Sequence, residues 1–179
     1  MGTAVPPKSV CLVAALCFND HNLKESIVAK MEKEYGAVQF ELAPVLFSHT
    51  NYYGKEMGAV LEKMYVAFAD YIDPACLPRI KHFTNALEQK SAANGNRSIN
   101  IDPGYIEVPK LVLATTKNFS HRIYIGEHIY GDVQLYWRNG GFQPNPWTYP
   151  DYRDSRTIRF FEKVRNTYFD SIKGNSSGN

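Results

Sequence analysis

Nine consecutive residues, Val10 to Phe18 (VCLVAALCF), carry no polar side chain. The run is shorter than a typical buried helix and rich in residues that suit a strand at the centre of a sheet. The rest of the chain has to be arranged around it.

Asn19-Asp20-His21 breaks the run, and Asn22 stands three residues before Glu25, the spacing of a capping box. Leu23, Ile27, Met31 and Tyr35 then recur every fourth residue, which predicts an amphipathic helix that Gly36 is placed to end. Val38, Phe40 and Leu42 alternate with Gln39 and Glu41, predicting a half-exposed strand that stops near Pro44. Beyond a loop around Ser48 to Gly58, the segment Val60 to Ile72 has two readings. Leu61, Met64, Phe68 and Tyr71 suit a helix, while Met64, Val66 and Phe68 suit a strand; Tyr65, Val66 and Phe68 favour a strand in the second half. Asp73-Pro74 marks a turn, Pro78 can open a helix with Ile80, Phe83 and Leu87 inward, and Asn94-Gly95-Asn96 ends it. Ile99 and Ile101 alternate with Asn100 and Asp102 in another strand, and Asp102-Pro103-Gly104 carries the residues of a type II turn.

The order is strand, helix, strand, strand, helix, strand. It predicts an α+β fold: a mainly antiparallel sheet with helices on one face, a ferredoxin-like βαββαβ unit followed by C-terminal strands and a final helix. The added strands are Leu111 to Thr115, His121 to Ile125 and Ile129 to Trp137, with Gly126-Glu127-His128 as a hairpin connection. Gly140 to Tyr152 reads as a long loop. Asp154 can cap the last helix, whose apolar stripe is Ile158, Phe161, Val164, Tyr168 and Ile172.

With 179 residues and 44% hydrophobic content, one domain over 1–179 is expected, with a core of about 9–173 and a frayed tail at 174–179. The balance of 20 Lys+Arg against 18 Asp+Glu, a net +2, speaks against nucleic-acid binding, as does the lack of an RNP-like aromatic pattern. Cys11, Cys17 and Cys76 are odd in number and lack CxxC spacing, so a reducing compartment is expected and no disulfide framework. With no signal-type or membrane-length apolar run, the expected location is cytoplasmic, away from a membrane.

Motifs exclude several chemistries. There is no P-loop, no dinucleotide fingerprint, no nucleophile elbow, no HExxH and no EF-hand loop. The histidines at 21, 49, 82, 121 and 128 lack paired spacing, so no metal motif is present, and the cofactor stays unassigned. His82-Phe83-Thr84 alone fits the H-x-[ST] pattern that two-histidine phosphoesterases need twice, and it falls in a helix rather than a strand.

Several segments carry a family resemblance. They are Thr50-Asn51-Tyr52-Tyr53 with Glu56-Met57-Gly58; Lys81 with Thr84-Asn85 and Glu88; Asn100 through Asp102-Pro103-Gly104-Tyr105; Lys110 through Leu-Val-Leu-Ala-Thr-Thr to Lys117 and His121-Arg122-Ile123-Tyr124; and Trp147 to Tyr152. In this order, from about Val10 to Ile172, the chain resembles the bacterial domain of unknown function 4416 family. The resemblance implies candidate positions and no established activity. A GTP-binding label sometimes attached to members finds no support in a chain without a P-loop.

Each cluster has two readings. Tyr52 and Glu56 belong to a polar aromatic turn that can contact a ligand or pack on a sheet edge with wet hydroxyls. Lys81, Asn85 and Glu88 share one helix face at i, i+4 and i+7, either solvated or gripping a polar ligand. Asn100 and Asp102 point away from the Ile99/Ile101 face, and Asp102 suits a turn or an active-site acid. Tyr105 follows that turn. Lys110, Lys117, His121 and Arg122 flank one apolar strand; converging, they would form an anion site, and otherwise they are strand-end residues. Trp147, Tyr149 and Asp151 lie in a rigid aromatic loop that can stack a base or cap the core. Proton transfer, if any, would fall to Glu56, Asp102 or His121.

Two functions compete. One is a small-molecule domain for a phosphorylated or nucleotide-like anion; the other is a non-catalytic protein-interaction or homodimer domain using exposed aromatic loops.

Overall fold

A computed structural model describes residues 2–47, 57, 60–92 and 96–174 of the chain. The strands are β1 (Val10–Phe18), β2 (Val38–Leu46), β3 (Glu62–Ile72), β4 (Ile99–Glu107), β5 (Lys110–Thr115), β6 (Ile123–Gly126), β7 (Ile129–Arg138) and β8 (Gly141–Pro144). The α-helices among the described residues are α1 (His21–Tyr35), α2 (Leu77–Lys90) and α3 (Ser155–Gly174). None is long and apolar enough to cross a membrane.

The sheet is antiparallel throughout, in the order β2-β3-β1-β4-β5-β7-β6, with β8 pairing β7 beyond the end of β6. Its first half, β2-β3-β1-β4, is the ferredoxin-like βαββαβ arrangement. β5 to β8 extend it from the β4 edge.

β1 lies inside that sheet and every residue of it is buried. Its pleat sends Leu12, Ala14, Leu16 and Phe18 to one face, against Ile27 and Met31 of α1 and Ile80 and Leu87 of α2. Cys11, Val13 and Ala15 face the other side, against Phe160, Phe161, Val164 and Tyr168 of α3. The helices of the ferredoxin-like unit thus share one face, and the final helix covers the opposite one. This double cover is why β1 has no polar position.

Four local expectations change. The α1 cap is Asp20, whose carboxylate accepts from the Leu23 N–H at 3.1 Å, so the helix begins before Asn22. β3 is a strand over its whole length. β2 runs past Pro44 to Leu46, because an edge strand tolerates a missing N–H and the register shifts between Leu42 and Val45. The segment after Arg138 is not all loop: Asn139 (φ 53°) and Gly140 (φ 82°) form a two-residue hairpin turn into β8.

The most consequential change is at Asp102-Pro103-Gly104, which does not turn. β4 continues through it, with Asp102, Pro103 and Gly104 opposite Ala15, Ala14 and Val13 of β1. On its other side β4 pairs β5 only from Gly104 onward, where Gly104 faces Leu113. The backbones are so close there that a Cβ on Gly104 would collide with the Val112 carbonyl. One residue earlier the two strands part, and Pro103, with no N–H to donate, stands at the parting point.

Candidate functional site

Where β4 and β5 part, the sheet holds a cavity of about 540 Å³. Asn100 and Asp102 of β4 line it, with Thr115 and the following Thr116 and Lys117 across the gap. Lys81, Asn85, Glu88 and Gln89 enter from α2, Lys63 from β3, and Tyr149, Pro150 and Asp151 from the segment before α3. Phe47 and Arg97 complete the wall.

The gap leaves backbone groups of β4 without a strand partner, and α2 supplies replacements. The Ile101 N–H donates to Glu88 Oε1 at 2.8 Å, and the Ile101 carbonyl accepts from Lys81 Nζ at 2.8 Å. Both side chains are buried, so this satisfaction matters more than it would on a surface. Burial pushes the Glu88 carboxyl above its usual range; Lys81, the Ile101 N–H and Arg97 pull it back.

Three ion pairs ring the cavity. Lys63 Nζ lies 2.6 Å from Asp151 Oδ2, Arg97 lies 2.9 Å from Glu88 Oε2, and Lys81 Nζ lies 3.5 Å from Asp102 Oδ1. Asn100 ties the last two together, donating to Asp102 Oδ2 at 2.8 Å and accepting from Arg97 at 3.2 Å. The Tyr65 hydroxyl donates to Asp151 Oδ2 at 2.6 Å. Burial, then the adjacent Asp151 charge, pushes the Tyr65 phenol well up, so it stays a donor.

Of the positions singled out in the sequence, Lys81, Asn85, Glu88, Asn100, Asp102, Lys117, Tyr149 and Asp151 line this one cavity. The basic cluster converges only in part: Arg122 bonds the Lys117 carbonyl and shares Asp132 with His121, while Lys110 stands apart. Lys110 opens β5 and pairs with Glu107, while Lys117 follows the other end of that strand. The strand between them, six residues long, spans roughly 17 Å. Arg122 is held by Asp132, by the Lys117 carbonyl and by the Tyr149 hydroxyl. His121 stacks on Trp147 at 4.7 Å between ring centroids and lies 3.4 Å from Asp132. Trp147 in turn donates its indole N–H to the Val133 carbonyl at 2.9 Å, so it braces the loop and does not line the cavity. Tyr105 lies at the other end of β4, in a separate groove with Tyr168 and Phe169. Tyr52 and Glu56 lie outside the described residues.

Lys63, Arg97 and the buried Asp132 were not among the sequence candidates. A lysine two residues before Tyr65 on a strand shares its inward face, and a carboxylate inside the apolar Ile129 to Trp137 run is equally out of place. Those were the available signals.

A ferredoxin-like half-sheet, extended along one edge and opened by a polar cavity at the junction, defines an α+β protein with a charged cleft between parting strands. The chain belongs to the DUF4416 family, described as a domain of unknown function, whose family model matches residues 8–168. No curated protein and no solved structure matches the chain.

Proposed function

We propose that this protein binds a small polar metabolite, phosphorylated or nucleotide-like, in the cavity between β4 and β5. The supporting observation is that three ion pairs border one open cavity of about 540 Å³, within the usual range for small-molecule sites. Lys81 and Glu88 have a structural duty at Ile101. Asn85, Gln89, Lys117 and Tyr149 add polar groups of both kinds, donors and acceptors, to the same walls. Asp102, with 31% of its side chain exposed beside Lys81, is the group placed for any proton transfer.

A thermal-shift screen with nucleotides, sugar phosphates and divalent metals tests this. A stabilising shift with a phosphorylated member, lost in Asp102→Ala or Asn85→Ala, is expected. A flat response to every member would count against the proposal.

One observation favours an interaction surface instead. Ile123 and Tyr124 on the edge strand β6 and the nearby Phe119 are 70%, 56% and 64% exposed. Sedimentation velocity decides: a dimer that Ile123→Lys dissociates would support this second role.

A further inference from the structure

We propose that the Tyr149 hydroxyl is the donor that fixes the anionic oxygen of the cavity's ligand, and that Arg122 is a positioning residue acting through it. Tyr149 has this role only if the cavity is a ligand site, as proposed above.

Four residues form a closed circuit, three of its bonds between side chains and one from a backbone N–H. Arg122 Nε donates to Asp132 Oδ2 at 2.8 Å, and Gln134 Nε2 donates to Asp132 Oδ1 at 2.7 Å. Gln134 Oε1 accepts from the Tyr149 N–H at 2.9 Å, and Arg122 closes the ring by donating to the Tyr149 hydroxyl at 2.9 Å. Asp132 is 1% exposed and Gln134 fully buried, so the frame is fixed from inside the fold. Tyr149 is therefore gripped at both its backbone and its phenol oxygen.

A guanidinium can only donate. The phenol oxygen is thus the acceptor in that bond, and its own proton must be directed elsewhere. Among the described residues no acceptor meets it, and Tyr149 lines the cavity. Burial raises the Tyr149 phenol, with Arg122 opposing, so it remains a protonated donor at neutral pH.

The same corner holds a second donor of this kind. Thr115 Oγ1 accepts from the Lys117 N–H at 3.2 Å, which leaves the threonine proton for another partner. The third Arg122 bond goes to the Lys117 carbonyl at 3.0 Å and joins the two segments that carry these donors. Two hydroxyl donors suit an anionic oxygen, of a phosphate or a carboxylate. The carboxylates Asp102 and Asp151 line the same cavity and suit the ligand's donor groups, and Asp102 is near enough to help raise the Tyr149 phenol.

The test is isothermal titration of the whole chain with matched pairs: AMP and adenosine, ribose 5-phosphate and ribose, malate and butane-1,3-diol. The wild type should prefer the anionic member of a pair, and the pair that responds separates phosphate from carboxylate. Tyr149→Phe keeps the ring and backbone contacts. It should weaken the anion roughly 10- to 100-fold and leave the neutral parent within about twofold. Arg122→Lys should reproduce that selective loss in the wild type and add little in the Tyr149→Phe background. Equal losses for both members, or none, would overturn the role of Tyr149 while leaving the cavity a ligand site. No binding of any probe to the wild type would overturn both.

Discussion

Lys63 Nζ and Asp151 Oδ2 are 2.6 Å apart, with only 9% and 10% of their side chains exposed. The ammonium also lies 4.9 Å from the Phe47 ring, 5.3 Å from Tyr152 and 5.7 Å from Tyr65. A charge pair inside aromatic walls leaves either partner stranded if the other is removed.

Asp151→Ala should therefore cost about 3 kcal/mol or more, since Tyr65 loses its acceptor as well. Lys63→Met with Asp151→Asn should cost less than the sum of the single changes. Urea unfolding of the four proteins checks this, and additive losses would mean the pair is not coupled.

Pro103 stands where β4 and β5 part. Residues two apart on a strand present backbone groups to the same side, so residue 103 faces the gap as Ile101 does. Pro103→Ala would supply an N–H able to extend the ladder toward Ala114. The expected result is unchanged or slightly raised stability with weakened ligand binding. Hydrogen exchange should find a newly protected amide at position 103.

Glu88 makes stability depend on pH in a defined direction. Its carboxyl is raised by burial, so the folded state binds that proton more tightly than the unfolded chain does. Its stabilising contribution is complete below the ordinary carboxylate range and is lost as pH rises through the raised value. Glu88→Gln keeps an acceptor for the Ile101 N–H and removes this titration. The wild type should lose stability relative to the variant as pH rises from the ordinary carboxylate range through the raised value, measured by urea midpoints.

The helices and the order of the first six elements were legible because 3.6-residue and two-residue periodicities survive in a single sequence. The gap between β4 and β5 was not. Asp-Pro-Gly has the local chemistry of a turn, and only the β1 ladder on one side with an absent neighbour on the other turns it into strand. Lys81, Asn85 and Glu88 were legible as one face, since helix geometry alone puts them together. Lys110 was grouped with Lys117, His121 and Arg122 for a related reason: neighbours in sequence are carried apart when a strand lies between them. Lys63 escaped notice because a lone strand lysine ordinarily points to water, and its partner Asp151 is 88 positions away.

The thiols offer an independent check on the burial of β1. Burial pushes Cys11 up to about 12 and Cys17 up to about 11, while Cys76 is only half-buried. At pH 8, Ellman's reagent should modify Cys76 alone in the folded protein and all three cysteines in denaturant. Rapid modification in Cys76→Ser would contradict the burial of β1.

The central claim is that the opening between β4 and β5 is a ligand site. Amide chemical-shift mapping with the nucleotide or sugar phosphate that gives the largest thermal shift tests it most directly. The predicted result is perturbation centred on Asn85, Asn100 to Asp102, Thr115 to Lys117 and Tyr149. Perturbation centred instead on the groove of Tyr105, Tyr168 and Phe169, or no saturable perturbation with any probe, would contradict it.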